Sequence, residues 1–162
     1  MNALFKRTEL HRTAEVGGFA VLDVQHGAHL VAILALEPPI IEGKSSGQVR
    51  VDETEAFLLA RRSVPALRLK VGGSCGPGDE AFVARCRGRL QQAGAAEAAE
   101  FHPNLDREAK IRFLESLTLF SVPATYSEAF GLYLLEALAA GVPVVQPRRC
   151  AFPELVERTG GG

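Results

Sequence analysis

The chain has 162 residues, 47% of them apolar and 23% charged, and its formal net charge is −1. That length supports one domain around a single core, and the even charge balance excludes both the basic field that nucleic acid requires and an acidic tail. No apolar run reaches transmembrane length, and the opening residues MNALFKRTELHRT lack the apolar stretch of an export signal, so a soluble, cytoplasmic chain is expected.

Residues 1–17 are charged and weakly patterned, with partial disorder expected. Gly18 to Gln25 and His29 to Leu36 read as short strands, with a turn hinted at Gly27. Residues 37–50, EPPIIEGKSSGQVR, read as a loop through their prolines, glycines and serines. Asp52 to Glu55 forms a capping box that opens a helix running to about Ser63. Beyond Pro65, the alternation of Leu67, Leu69 and Val71 predicts a strand over Ala66 to Gly72, followed by the flexible loop GGSCGPG. The next helix runs from Asp79 to about Ala93, with Phe82, Cys86 and Leu90 on one stripe and Gly94 as its stop. A short strand falls at Glu100 to His102, and Asp106 caps a helix with an inner face of Ile111, Phe113, Leu114 and Leu117. A strand at Leu119 to Val122, a helix from about Phe130 to Ala140, a strand at Val142 to Gln146 and a helix from about Ala151 to Arg158 complete the chain. Pro153 suits the first turn of that last helix.

Strands and helices alternating at this spacing predict an α/β fold with a doubly wound parallel sheet. Ligands of such sheets bind outside the carboxyl ends of the strands. That edge takes in the loops 72–78, 102–105, 124–130 and 147–150. Cys75, Cys86 and Cys150 are odd in number and lack CxxC spacing, so reduced thiols are expected rather than disulfides or a metal site. His11, His26, His29 and His102 form no ligand pattern either.

The segment from Ser121 to Gln146 carries the chemistry. Glu128 precedes a helix that is apolar all round except for Glu136, with seven residues between the two acids. A carboxylate on such a helix is costly to bury without a partner, so a polar group is expected to meet it. Gly131 marks a close backbone turn, and amides at a helix start form an anion site. A plainer reading stands beside this one: Ser127 as an N-cap, Glu128 favouring the positive helix end, and Glu136 as the helix's one wetted position.

The run EAFGLYLLEALAAGVPVV resembles the signature of the retaining, nucleotide-sugar-dependent glycosyltransferases of the GT-B fold, group 1 or family 4-like, with a Glu-x7-Glu motif. The likeness covers about Leu67 to Gly162 and is densest from Phe120 onward, whereas residues 1–66 match poorly. It implies a Rossmann-like donor-binding domain over residues 28–162, one incomplete half of a GT-B fold, behind a divergent segment at 1–27. It further implies that Glu136 holds the ribose of a nucleoside diphosphate sugar, and that backbone amides around Phe130, Gly131 and Leu132 meet phosphate and sugar. Glu128 is the implied catalytic residue, contacting the sugar near the reacting carbon. Lys44, Gly73 and His102 join the donor site, His102 on the side of the base. No cofactor or metal is implied.

The sequence also departs from that family. Leu36 stands near the position of an expected arginine, and Lys44 lies in a Pro-rich loop as the one candidate for the lysine that neutralises diphosphate. Pro103 replaces a usual glycine in the base-binding loop, and the sequence stops at Gly162 where relatives continue. The expectation is a donor-binding half, inactive without an acceptor-binding domain or chain. The alternative is a non-catalytic nucleotide-binding or partner-binding remnant. A P-loop at Gly43-Lys44-Ser45 is disfavoured by Pro38, where the motif needs glycine, and by the lack of a helix pattern after Ser46. Arg148 and Arg149 read first as solvated loop charges, with help in neutralising phosphate as the alternative, and Tyr126 and Tyr133 read as packing residues.

Overall fold

In the computed structural model of the chain, residues 10–16, 19–24, 30–33, 53–122 and 130–162 are described, the first three stretches as backbone strands. The strands β1 (Leu10–Val16) and β2 (Phe19–Val24) pair antiparallel as a two-stranded sheet of their own. The remaining described strands and α-helices, in order, are β3 (Leu30–Ile33), α1 (Glu53–Ser63), β4 (Arg68–Gly73), α2 (Glu80–Gln92), β5 (Ala99–Pro103), α3 (Arg107–Glu115), β6 (Leu119–Ser121), α4 (Leu132–Ala139) and α5 (Phe152–Thr159).

Within residues 1–17, read as weakly patterned, Leu10–Val16 forms the strand β1, and the other residues of that segment lie outside the described ones. The register of β1 shifts between Arg12 and Ala14, leaving Thr13 as an extra residue. A bulge of this kind moves the alternation of inward and outward residues by one, so the period-2 signal cancels along the strand.

The second sheet is parallel, in the order β5-β4-β3-β6. Beyond β6, Phe120 makes a parallel bridge to Val144. Counting along the chain within this sheet, the order is that of a Rossmann-like half, with the direction of winding reversing between β3 and β6. Where the sequence suggested a strand over Val142 to Gln146, only that bridge forms. Pro143 has no N–H to donate; its carbonyl accepts from Phe120 N–H at 3.0 Å, and Val145 N–H returns to the Phe120 carbonyl at 3.0 Å. The Val144 N–H turns the other way, to the Gly161 carbonyl at 2.9 Å.

Helices cover both faces. Leu69 and Val71 of β4 enter a core with Phe57 of α1 and Leu90 of α2. The intervening Lys70 projects to the opposite face, where its Nζ donates to Ser116 Oγ at 3.1 Å just beyond α3. On that face Phe120 packs with Phe113 and Leu114 of α3, Leu134 and Ala137 of α4, and Phe152 of α5. Asp106 caps α3 as expected, Oδ1 accepting the Ala109 N–H at 2.7 Å. Ile111, assigned to the inner face of α3, is instead 44% exposed. The inward stripe is 110, 113, 114 and 117, the i, i+3, i+4, i+7 pattern of a buried helix face, and Lys110 takes its first place.

Candidate functional site

In a parallel sheet every helix begins on the carboxyl side of the strand before it, so α4 opens at the rim where ligands of such sheets bind. Gly131 is its N-cap residue, in the left-handed region with φ 72° and ψ 48°. That conformation turns the chain into the helix without a side chain at the cap. Gly131 is buried, while Phe130 and Leu132 on either side are 56% and 65% exposed. The neighbouring Tyr133 rests its ring against Phe120, centroids 6.3 Å apart, and so serves packing.

One helical turn on, Glu136 meets the polar partner that its setting required. Lys110 Nζ of α3 donates to Glu136 Oε1 at 2.6 Å, and the two side chains are 37% and 44% exposed. The carboxylate is therefore half in water rather than buried, and the cost that called for a partner is smaller than the apolar helix suggested.

His102 and Gly73 lie at the same rim, at the ends of β5 and β4. His102 Nε2 is 3.2 Å from Glu100 Oε2, and its ring stands edge-on to Phe113 of α3 at a centroid distance of 5.4 Å. Thus α3 touches two candidate residues: Lys110 reaches Glu136, and Phe113, three residues later, reaches His102. Gly73 pairs with Pro103 in the sheet, and its carbonyl accepts the Asn104 N–H at 2.8 Å. Pro103 therefore ends a paired strand, with the tight approach placed one residue further, at Asn104. Burial raises the pKa of Glu100, but the Arg68 guanidinium at 3.3 Å, the His102 ring and the Lys70 ammonium outweigh it and hold the carboxyl below its usual range.

Glu128, Lys44, Leu36, Tyr126 and Ser127 lie outside the described residues. The structure thus brings Phe130, Gly131, Leu132 and Glu136 onto one helix start, with His102 and Gly73 on neighbouring strand ends. Arg148 pairs with Glu157 at 3.8 Å and is highly exposed, as a solvated loop charge would be. A surface cavity of about 290 Å³, lined by Gln146, Arg148, Phe152, Pro153 and Val156 among others, holds none of Gly73, His102, Phe130, Gly131, Leu132 and Glu136. Sequence reasoning missed Lys110 and Asn104. The stripe 110/113/114/117, read as a whole, was the available signal for the first; nothing in the pattern marked the second.

Such a sheet, with its helices on both faces and its polar groups gathered at the carboxyl ends of the strands, defines a Rossmann-like α/β domain. Residues 54–162 match the family described as glycosyl transferases group 1. The chain belongs to this family. A D-inositol 3-phosphate glycosyltransferase of Mycobacterium sp. (strain KMS) is 32% identical over 117 residues, which cover 70% of this chain and 26% of that relative. A lipopolysaccharide core biosynthesis mannosyltransferase of Rhizobium meliloti (strain 1021) is 38% identical over 114 residues, 68% of this chain and 29% of the relative. The chain spans between a quarter and a third of the length of these relatives. Among solved structures, the C-terminal domain of a group 1 glycosyl transferase from Francisella tularensis superposes with a TM-score of 0.60 at 23% identity, covering 80% of this chain and 63% of that one. Anabaena HepE in complex with UDP and glucose gives a TM-score of 0.58 at 20% identity, covering 78% and 31%. The fold is that of the C-terminal half of a GT-B glycosyltransferase. No helix among the described residues is long and apolar enough to cross a membrane.

Proposed function

We propose that the chain is the donor-binding half of a retaining glycosyltransferase, gripping a nucleoside diphosphate sugar at the rim where α4 begins. The observation that carries this reading is the carboxylate of Glu136, held at 2.6 Å by Lys110 one turn inside that helix. It is oriented and half exposed, as an acceptor for a ribose diol must be. The left-handed turn at Gly131 sets the first amides of α4 toward the same rim, where diphosphate oxygens find donors. Family membership supports the reaction class.

In the proposed reaction the bond between the anomeric carbon and the diphosphate oxygen breaks, and a bond to an acceptor hydroxyl oxygen forms with retained configuration. The hydroxyl proton passes to the departing diphosphate. Glu128 is proposed to contact the sugar near the reacting carbon, and Lys44 to face the diphosphate. Catalysis of this kind is positioning together with stabilisation of leaving-group charge, and no metal is assigned to it. Turnover is proposed to need an acceptor-binding domain or chain in addition to these residues.

A thermal-shift series with UDP, GDP, ADP and their sugars tests the claim. A ligand at a hundred times its dissociation constant stabilises by about 2.7 kcal/mol, so the correct nucleotide stands out. Absence of any shift at millimolar ligand would sink the reading. One sequence feature favours a second reading, a nucleotide-binding module without catalysis: Leu36 falls near the place of the expected phosphate-binding arginine. Nucleotide binding without sugar transfer, once an acceptor half is supplied, would select it.

A further inference from the structure

We propose that Lys110 is a positioning residue for the donor site, fixing the Glu136 carboxylate so that its remaining lone pairs face a ribose diol. This inference rests on the reading of Glu136 as the ribose acceptor and adds to it a residue of another helix.

Lys110 belongs to the inward stripe of α3 and the residues just beyond it, whose other members Phe113, Leu114 and Leu117 are buried. An apolar residue there would extend the core contact between α3 and α4. A lysine instead brings its ammonium to the only carboxylate of α4, Glu136, at 2.6 Å. As a contribution to stability the exchange is poor, because half-exposed ion pairs add little to folding.

An ionised carboxylate has about four acceptor sites on two oxygens, and an ammonium only donates. Lys110 engages Oε1, leaving Oε2 and the second lone pair of Oε1 for two adjacent hydroxyls. A free glutamate on a helix surface would have to give up several rotamers to accept a diol, whereas one already held by a cation has fewer to lose. The same helix steadies His102 through Phe113. Accordingly α3 supports the two residues assigned to ribose and base.

The test compares nucleotides with and without the diol. Dissociation constants of UDP, GDP and ADP, and of their 2′,3′-dideoxy counterparts, are measured on the full 162-residue chain. The variants are Lys110→Met, Lys110→Gln, Lys110→Arg and Glu136→Gln, each checked for a cooperative melt, so that the glutamine variant stands in should the methionine variant fail to fold. Freeing one side chain corresponds to a roughly three- to tenfold loss of affinity. Lys110→Met and Lys110→Gln are expected to lose that much for the ribonucleotide while binding the dideoxy form as the unaltered chain does; Lys110→Arg keeps most of the ribonucleotide affinity. Equal losses for both nucleotides would make Lys110 a phosphate attractor or a purely structural residue and overturn the proposal. So would no loss for either, in a chain where Glu136→Gln does discriminate. If the unaltered chain binds none of the three nucleotides, the donor-site reading itself falls, and this inference with it.

Discussion

Asn104 clasps Cys75 with both ends of its side-chain amide. Its Oδ1 accepts the Cys75 N–H at 2.8 Å, and its Nδ2 donates to the Cys75 carbonyl at 2.9 Å. Its own backbone N–H reaches the Gly73 carbonyl at 2.8 Å. The loops that follow β4 and β5 are thereby joined at the rim where His102 and Gly73 lie. Asn104 does this from a left-handed backbone with φ 54°, a region that asparagine enters more readily than other side-chain-bearing residues.

Asn104→Ala should therefore destabilise the chain by about 1–3 kcal/mol, from two lost hydrogen bonds and from alanine's dislike of that backbone. Asn104→Asp keeps an acceptor for the Cys75 N–H but loses the donor to its carbonyl, and should fall between the two. Denaturant melts rank the three proteins, and faster exchange of the Cys75 amide in the alanine variant locates the effect. Equal stability of all three would mean that the clasp does not form in solution.

Gly131 gives a sharper separation of strain from crowding. A Cβ built there would lie 3.4 Å from Leu134 Cδ1 and from Leu155 Cδ1, and 3.5 Å from Phe152 Cε1, which is ordinary contact. The φ of 72° is the obstacle. Gly131→Ala should then cost about 1–2 kcal/mol, lowering the melting temperature by about 2–8 °C in a chain of this size. An unchanged melting temperature would show that the helix start is not held left-handed.

Two leucines of α4 predict opposite outcomes. Leu134 is fully buried against Phe120 and Phe152, whereas Leu132, two residues earlier, is 65% exposed. Leu134→Ala should lose about 2–5 kcal/mol through lost transfer energy and a residual cavity, while Leu132→Ala stays within about 0.5 kcal/mol. Chemical denaturation measures both. A large loss at Leu132 would place that residue in a packed contact.

How much of this was legible beforehand depends on where side-chain chemistry acts locally. Asp106 could be read as a cap because the bond it makes spans three residues of the same segment. The stripes of Cys86 with Leu90, and of Phe113, Leu114 and Leu117, announced α2 and α3 because a helix face repeats on itself. β1 was hidden because the bulge at Thr13 scrambles its alternation. The strand expected around Val144 shrank to one bridge, since Pro143 gives no donor and the Gly161 carbonyl takes the Val144 N–H. At the site, the need of Glu136 for a polar neighbour was readable from the apolar helix around it. Which residue answers it was not: Lys110 lies 26 positions earlier and meets it only when α3 and α4 pack side by side. The clasp between Asn104 and Cys75 is non-local in the same way, across 29 positions.

Burial raises the pKa of Glu100, yet Arg68 at 3.3 Å, His102 at 3.2 Å and the nearby Lys70 together hold it below the usual carboxylate range. The folded chain thus binds the Glu100 proton less tightly than the unfolded chain. A group whose folded pKa is depressed adds stability that is fully present above the unfolded value and lost as pH falls through the folded one. The increment of Glu100 should accordingly be complete near neutral pH and fall away as the pH drops through the depressed pKa. With the side chain 41% exposed, solvent screens much of the pairing, and the effect is small. Glu100→Gln removes the titration: the difference in unfolding free energy between the unaltered chain and this variant should be largest near pH 6–7 and shrink as the pH is lowered toward 3. A difference that stays constant across that range, or grows toward acid, would show that Arg68, His102 and Lys70 do not outweigh the burial of this carboxylate.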